Sequence, residues 1–129
     1  MNKEEFTELE KILVAKGYQK YGQRWHHEDY VYGKGVGQSR WEEGRRCYHI
    51  ILSIYDYTLD HSFNYKLSEQ ERNHVGIEVH VNVSRTIDER AELILPWHDD
   101  TTIEEVEKAA GAFYQFVCRQ WPEPREWET

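Results

Sequence analysis

The side chains best placed to do chemistry lie on a strand predicted over residues 75–84. Apolar and polar residues alternate throughout this segment, so that Glu78, His80 and Asn82 share one side of the strand. Aliphatic residues occupy the other side, which is the pattern of an antiparallel strand with one face in the core. A carboxylate near an imidazole can transfer protons or hold a polar ligand. This polar side of the strand is therefore the first candidate site.

A second strand, predicted over residues 46–58, extends the candidate site. Its alternation places His49, Tyr55 and Tyr57 on one side and mainly aliphatic side chains on the other. If both aliphatic sides face one core, the two polar sides join in a single open sheet face. Such a cluster can bind a ligand or act as an acid and base, and an ordinary solvated face explains the same pattern. The candidate ligand- or partner-binding residues are His49, Tyr55, Tyr57, Glu78, His80 and Asn82.

Two runs of histidine and acidic residues, at 26–29 and 97–100, contain groups that zinc or a harder divalent ion accepts as ligands. Neighbouring residues of a strand point to opposite faces, so the first run supplies at most two ligands to one site. The second run is explained by a solvated loop that leads into a helix, where the helix dipole favours acidic side chains. We therefore predict no metal site and no cofactor.

Glycines and cysteines complete the set of residues that deserve a chemical interpretation. Gly33, Gly35 and Gly37 open a predicted flexible connection at residues 33–44, and the spacing of these three glycines matches neither a nucleotide-binding loop nor a dinucleotide fingerprint. Cys47 and Cys118 fit no metal spacing and no disulfide framework, which predicts a reduced, cytoplasmic protein. No hydrolase signature is present, so no catalytic residue is assigned.

Two helices and four strands must position these residues. Good helix formers and apolar residues at three- and four-residue spacing predict a helix over residues 2–16, with Phe6, Leu9, Ile12 and Leu13 in its apolar stripe. A second helix begins at Thr102, with Glu105 completing a capping box, and ends before Pro122. Its predicted stripe is Ile103, Val106, Ala109, Ala110, Phe113, Phe116 and Val117. Strands are predicted over residues 24–32, 46–58, 75–84 and 91–95, a turn over 85–90, and a short helical turn over 67–72 within the polar segment 59–74.

The element order α-β-β-β-β-α predicts an α+β fold. We expect a two-layer sandwich in which an antiparallel sheet of three to four strands carries both helices on its valine-bearing face. A chain of 129 residues is long enough for one domain with its own core, so we expect a single domain over 1–129. The tail at residues 122–129 is expected to be frayed or to dock on a partner.

Composition narrows the function classes. A net charge of −8 disfavours contact with a phosphate backbone, so we predict no nucleic-acid partner. No apolar run approaches the length of a membrane span, so we predict no membrane partner either. An aromatic content of 14% favours a binding surface, because aromatic side chains are enriched at the cores of interfaces.

Two functional hypotheses follow from these observations. The first is a small, acidic, cytoplasmic and non-enzymatic protein-binding or adaptor protein. It would engage a protein partner, or a second copy of itself as a homodimer, through the aromatic and histidine-rich open face. The alternative is a small-ligand-binding protein or enzyme that uses His49, Glu78 and His80 on the same face.

Overall fold

The chain forms an antiparallel sheet with a helix before it and a helix after it. The computed structural model describes residues 1–22, 29–37, 47–58, 68–84 and 90–120. Within these ranges the elements are, in order, α1 (Lys3–Ala15), β1 (Gln19–Tyr21), β2 (Asp29–Gly37), β3 (Cys47–Asp56), α2 (Glu69–Arg72), β4 (Val75–Ser84), β5 (Arg90–Pro96) and α3 (Ile103–Gln120). The predicted α+β class is confirmed.

The sheet is a meander in which every strand pairs with its neighbour in the sequence. The strand order is β1-β2-β3-β4-β5, and all four pairings are antiparallel. β3 and β4 pair over their whole length, from Cys47 opposite Ser84 to Asp56 opposite Val75. These two strands form the centre of the sheet, and they carry most of the candidate residues.

The core lies between one face of this sheet and the helices. Leu52 of β3 pairs with Val79 of β4, and neither side chain is exposed to solvent. Buried side chains of α1 and α3 join the same cluster, including Phe6, Leu13 and Ile103. The predicted valine-bearing face is therefore the core face, and both terminal helices pack on it.

Helix α1 is fixed at both ends by local interactions. The Asn2 side chain accepts a hydrogen bond from the backbone nitrogen of Glu5 at 2.8 Å, and the Glu5 carboxylate accepts one from the Asn2 nitrogen at 3.2 Å. This capping box satisfies backbone donors that lack a partner within the helix. Gly17, with a φ of 92°, follows the helix in the left-handed region that glycine tolerates.

Helix α3 begins at Ile103, directly after the predicted N-cap residue Thr102. The Thr102 hydroxyl accepts a hydrogen bond from the backbone nitrogen of Glu105 at 3.2 Å. Near this N-terminus, Lys16 at the end of α1 lies 3.3 Å from a carboxylate oxygen of Glu107 and 3.4 Å from one of Glu104. These ion pairs connect the two terminal helices beside the sheet.

The sheet has five strands, so the predicted count of three to four is wrong. Strand β1 escaped prediction because its three residues are all exposed and carry no apolar alternation. The predicted flexible connection is wrong over residues 33–37, which belong to β2. The predicted strand over 24–32 is confirmed over residues 29–32, and its residues 24–28 lie outside the described part of the chain.

Aromatic rings cross β2 where its glycines lie, and this explains how a glycine-rich segment forms a strand. A Cβ atom on Gly33 would lie 3.2 Å from Cε2 of Tyr21, and one on Gly35 would lie 3.1 Å from Nε2 of His49. Glycine weakens a strand unless another group packs closely on the bare backbone. Tyr21 and His49, from the two strands that flank β2, supply that packing.

Smaller differences concern boundaries and the width of the helix stripes. Ile12 is 45% exposed and Phe116 is 58% exposed, although both were predicted in apolar stripes. Each lies at the margin of its stripe, so it does not face the sheet when the central positions do.

Arg90, predicted in a turn, begins β5. Predictions for residues 59–67, 85–89 and 122–129 fall outside the described residues, and α2 lies within the predicted helical turn.

No helix in the described ranges combines the length and the hydropathy that a membrane span requires.

Candidate binding site

The sheet face opposite the helices, here called the open face, carries the candidate site. Strand pairing sets its side chains in rows that cross the sheet. One row contains Ile51, His80 and Ile94, and the next contains His49, Asn82 and Glu92. Cross-strand neighbours of this kind lie within about 5.5 Å of each other, so polar groups from three strands converge here.

His80 occupies the centre of this arrangement and faces two carboxylates. Its Nε2 lies 2.6 Å from Oε1 of Glu78, two residues away on the same strand. Its Nδ1 lies 3.5 Å from Oε2 of Glu92 on β5. The His80 side chain is 21% exposed, whereas those of Glu78 and Glu92 are 46% and 49% exposed. The imidazole is thus held in place while both carboxylates remain accessible.

The protonation state of His80 decides how many of these contacts are hydrogen bonds. An imidazolium donates from both nitrogens and can serve both carboxylates. A neutral imidazole donates from only one, so it can serve only one carboxylate. The 2.6 Å contact with Glu78 is the shorter, so Glu92 is the carboxylate that lacks a donor from neutral His80.

Two adjoining depressions cover the middle of the open face. The first has a volume of about 360 Å³ and the second of about 530 Å³, and they share Ile51, Asn82 and Glu92. Val31, Ser53, Tyr55, Glu78 and His80 are among the residues that line the first, and His49, Ser84 and Arg90 are among those that line the second. Two carboxylates, Glu78 and Glu92, therefore line the first depression, and the second contains Glu92 together with Arg90.

The structure brings five of the six candidate residues to this surface. Tyr55, Glu78, His80 and Asn82 line the first depression, and His49 joins Asn82 in the second. Tyr57 does not share this location, because β3 ends at Asp56 and Tyr57 lies in the turn that follows. Its predicted place on the open strand face is wrong, since the alternation of β3 stops one residue earlier.

Glu92 and Arg90 are site residues that the sequence reasoning missed. Both were available from the same alternation, because Ala91, Leu93 and Leu95 take the core side of β5 and leave the even positions on the open face. The segment was interpreted only as a partner strand for the residues at 75–84. Extending the two-residue period by one strand would have placed Glu92 on the same sheet face as His80.

Asp56 is a third residue that the sequence pattern did not single out, and it lies on the core side of the sheet. Its side chain is fully buried and contacts the ammonium of Lys3, the hydroxyl of Thr58 and, at 3.3 Å, the hydroxyl of Tyr30. The Thr58 backbone nitrogen also donates to it at 3.1 Å. Burial raises the pKa of Asp56, but the hydrogen bonds from Lys3 and Thr58 outweigh burial, so the pKa lies below its usual 3.8.

This buried carboxylate connects α1 to the end of β3. The contacts of Asp56 described above all lie on the core side of the sheet. The residue therefore helps to hold α1 against the end of β3 and does not belong to the open face. Residue 56 is an even position of β3, and the other even positions carry core side chains. The same alternation therefore predicts that Asp56 is buried.

The described residues contain no group of three or more histidine, cysteine, aspartate or glutamate side chains arranged to hold a metal ion. The run at 97–100 lies before α3, where His98, Asp99 and Asp100 are exposed. The His98 backbone nitrogen donates to the Thr101 hydroxyl at 2.8 Å. The loop interpretation of this run is confirmed, whereas residues 26–28 of the other run are not among those described.

Comparison of the chain with protein-family models, with curated proteins and with solved structures finds no match.

Proposed function

We propose that this protein is a small, non-enzymatic binding or adaptor protein that engages a protein partner through its open face. The observation that supports this proposal is the pair of adjoining depressions around His80, where aromatic, aliphatic and charged side chains from three strands converge. A mixed surface with an aromatic and aliphatic centre and charged groups around it is typical of protein interfaces.

The size of the open face suits a protein partner. Strands β2 to β5 contain nine, ten, ten and seven residues. With a strand spacing of about 4.8 Å and a rise of about 3.4 Å per residue, they span a face of roughly 600 Å². A standard interface buries about 800 Å² on each partner. The corrugated surface of side chains exceeds the projected area, so this face alone accounts for most of such an interface.

The shape of the depressions favours a protein over a small molecule. Their volumes fall in the usual range of about 300 to 1,000 Å³ for ligand sites, but ligand sites bury at least about 70% of the ligand surface. Both depressions lie on one side of a sheet and are open to solvent. A protruding segment of a partner fills such a surface without being enclosed.

A small-ligand-binding or enzymatic role is a second proposal, and one contact favours it. Glu78 holds Nε2 of His80 at 2.6 Å, which orients the imidazole in the way that general acid and base catalysis requires. On this proposal the ligand would occupy the first depression and contact His80 directly.

Native mass spectrometry separates the two proposals at the outset. The mass of the purified protein under native conditions reports a second copy, a retained protein partner or a retained small molecule. We expect a homodimer or a complex with another protein. A monomer with a retained small molecule would instead support the second proposal.

Substitutions on the open face then test where the partner binds. We expect the double variant His80→Ala and Tyr55→Ala to keep its fold and to weaken association at least tenfold, because truncation of central interface residues costs more than about 1 kcal/mol each. The matched control is His98→Ala with Phe116→Ala, since both side chains are exposed and lie away from the open face. Equal association of the two double variants, measured by analytical ultracentrifugation or partner capture, would refute the proposal.

A cytoplasmic location belongs to the same proposal. Its support is the cysteine content, because Cys118 is a free thiol on α3 and the two cysteine positions suit no disulfide framework.

A further inference from the structure

The contacts of His80 specify what kind of group the first depression accepts. We propose that Glu92 and the walls of this depression bind a cationic side chain, lysine or arginine, of the protein partner, and that protonation of His80 displaces it. The inference rests on the proposed function and names the chemistry of the partner at the centre of the open face.

The first step concerns Glu92. Its Oε2 atom lies 3.5 Å from Nδ1 of His80, whereas a hydrogen bond between charged nitrogen and oxygen is typically about 2.7 to 2.9 Å long. Glu78 already holds the other ring nitrogen at 2.6 Å. Glu92 is thus half-exposed, held close to a ring that serves another carboxylate, and available to an external donor.

The second step concerns the walls of the depression. Val31 and Ile51 line it together with Tyr55, and all three lie at least partly buried beside the carboxylates. Lysine and arginine carry a long apolar stem with a charged end, so they suit a site whose walls are apolar and whose polar group is a carboxylate. A simple metal cation lacks the stem and would leave these walls uncovered.

The third step concerns every charged or titratable group that faces His80 among the described residues. On its own strand this is Glu78, and on β5 they are Glu92 and, one position further along the same face, Arg90. On β3 the residue paired with His80 is Ile51, and the titratable groups on that face are His49, paired with Asn82, and Tyr55, paired with Gly76. Arg90 lines the second depression and not the first. Within the first depression, the group that can carry a positive charge beside Glu78 and Glu92 is therefore His80 itself.

A pH dependence follows from this arrangement. When His80 is neutral, one carboxylate lacks a donor and attracts the cation of the partner. When His80 is protonated, its own positive charge lies between Glu78 and Glu92 and competes for the same oxygens. Binding of a cationic side chain should therefore weaken as the pH falls through the range in which histidine gains its charge.

The experiment uses the full chain and a defined probe. The probe is the peptide Gly-Arg-Gly with acetylated and amidated ends, and the control is the same peptide with glutamine in place of arginine. Binding is measured by two-dimensional NMR, from the shifts of backbone amide signals and of the His80 ring, at about pH 8 and about pH 5.5, which lie on either side of the usual histidine titration. The variants are Glu92→Gln and His80→Gln, and the matched control is Glu4→Gln, an exposed carboxylate on α1 that changes the net charge equally.

Four results are expected together. The arginine peptide shifts signals of the first depression and binds more tightly than the glutamine peptide at about pH 8. Its affinity falls about tenfold at about pH 5.5, the size of one charged hydrogen bond. Glu92→Gln weakens binding about tenfold and Glu4→Gln does not. In His80→Gln the affinity, whatever its level, is the same at the two pH values.

The inference is overturned by any of three results: absence of binding at millimolar peptide, equal binding of the two peptides, or equal behaviour of the Glu92 and Glu4 variants. A pH dependence that survives in His80→Gln would overturn the gating step. These outcomes are distinct from failure of the proposed function. If association with the partner depends on His80 and Tyr55 but the arginine peptide does not bind, the open face is the interface and its cation site is wrong.

Discussion

Replacement of the buried Asp56 carboxylate should destabilise the fold strongly. In the variant Asp56→Asn the ammonium of Lys3 loses its partner, and the amide nitrogen must face groups that donate hydrogen bonds: either Lys3 or the backbone nitrogen and hydroxyl of Thr58. Breaking a buried ion pair on one side costs about 3 to 5 kcal/mol. The Lys3 side chain is 45% exposed and can return to water, so we expect the lower end, about 3 kcal/mol.

Urea denaturation at neutral pH measures this free energy of unfolding, and its pH dependence provides an independent check. The pKa of Asp56 in the folded state lies below the unfolded value of 3.8, because hydrogen bonds from Lys3 and Thr58 outweigh burial. The stabilisation is therefore complete above the unfolded pKa and is lost as the pH falls through the folded pKa. The difference between wild type and Asp56→Asn should shrink at low pH. A cost below about 1 kcal/mol, or a difference that grows on acidification, would refute the reasoning.

Three further predictions concern the core, the close approach of the His49 ring to Gly35, and the buried hydroxyl group of Tyr32. Leu52→Ala should lower the free energy of unfolding by about 3 kcal/mol, whereas Ile94→Ala on the open face should change it by less than about 1 kcal/mol, both measured by urea denaturation. Gly35→Ala should change stability by less than about 1 kcal/mol, because alanine favours the strand while its Cβ displaces the His49 ring. The His49 ring signals in NMR should shift, and unchanged signals would contradict the close approach. Burial and the Glu10 carboxylate raise the pKa of Tyr32, so NMR of labelled tyrosine should find its phenol neutral at a pH where exposed tyrosines ionise. The stability that Tyr32 contributes is present below about pH 10 and is lost as the pH rises through its folded pKa.

The central strands and the terminal helices were predictable because their hydrophobic patterns are long and regular. Ten residues of strict alternation fix the face of β4, and a capping threonine with a wide apolar stripe fixes the start of α3. Such patterns indicate burial, since most of the apolar side chains in a long regular pattern face the core. The core face and five of the six candidate residues followed from the same pattern.

Strands β1 and β2 were not predictable in the same way. The residues of β1 are exposed, so hydrophobicity carries no signal there. The glycines of β2 favour a loop by local preference, but they form a strand that pairs with β1 and β3, and Tyr21 and His49 of those strands pack on them. That packing depends on tertiary contacts between residues far apart in the sequence.

The site itself was predictable in part. The period of two placed Glu78, His80 and Asn82 together, but the distance from His80 to Glu92 depends on the register between β4 and β5. Register is set by turns and by packing, and a single-strand pattern does not contain it. Tyr57 was misplaced for a related reason, since alternation alone does not show where a strand ends.

The most direct test of the binding account is side-chain footprinting of the complex by mass spectrometry. Carbodiimide labelling of carboxylates is compared between the isolated chain and the same chain bound to its partner or second copy. The account predicts that labelling of Glu78 and Glu92 falls several-fold on binding, while labelling of Glu4 and Glu8, which are exposed on α1, stays constant. Protection of the α1 carboxylates with unchanged labelling of Glu78 and Glu92 would contradict it and would place the interface on the helical layer.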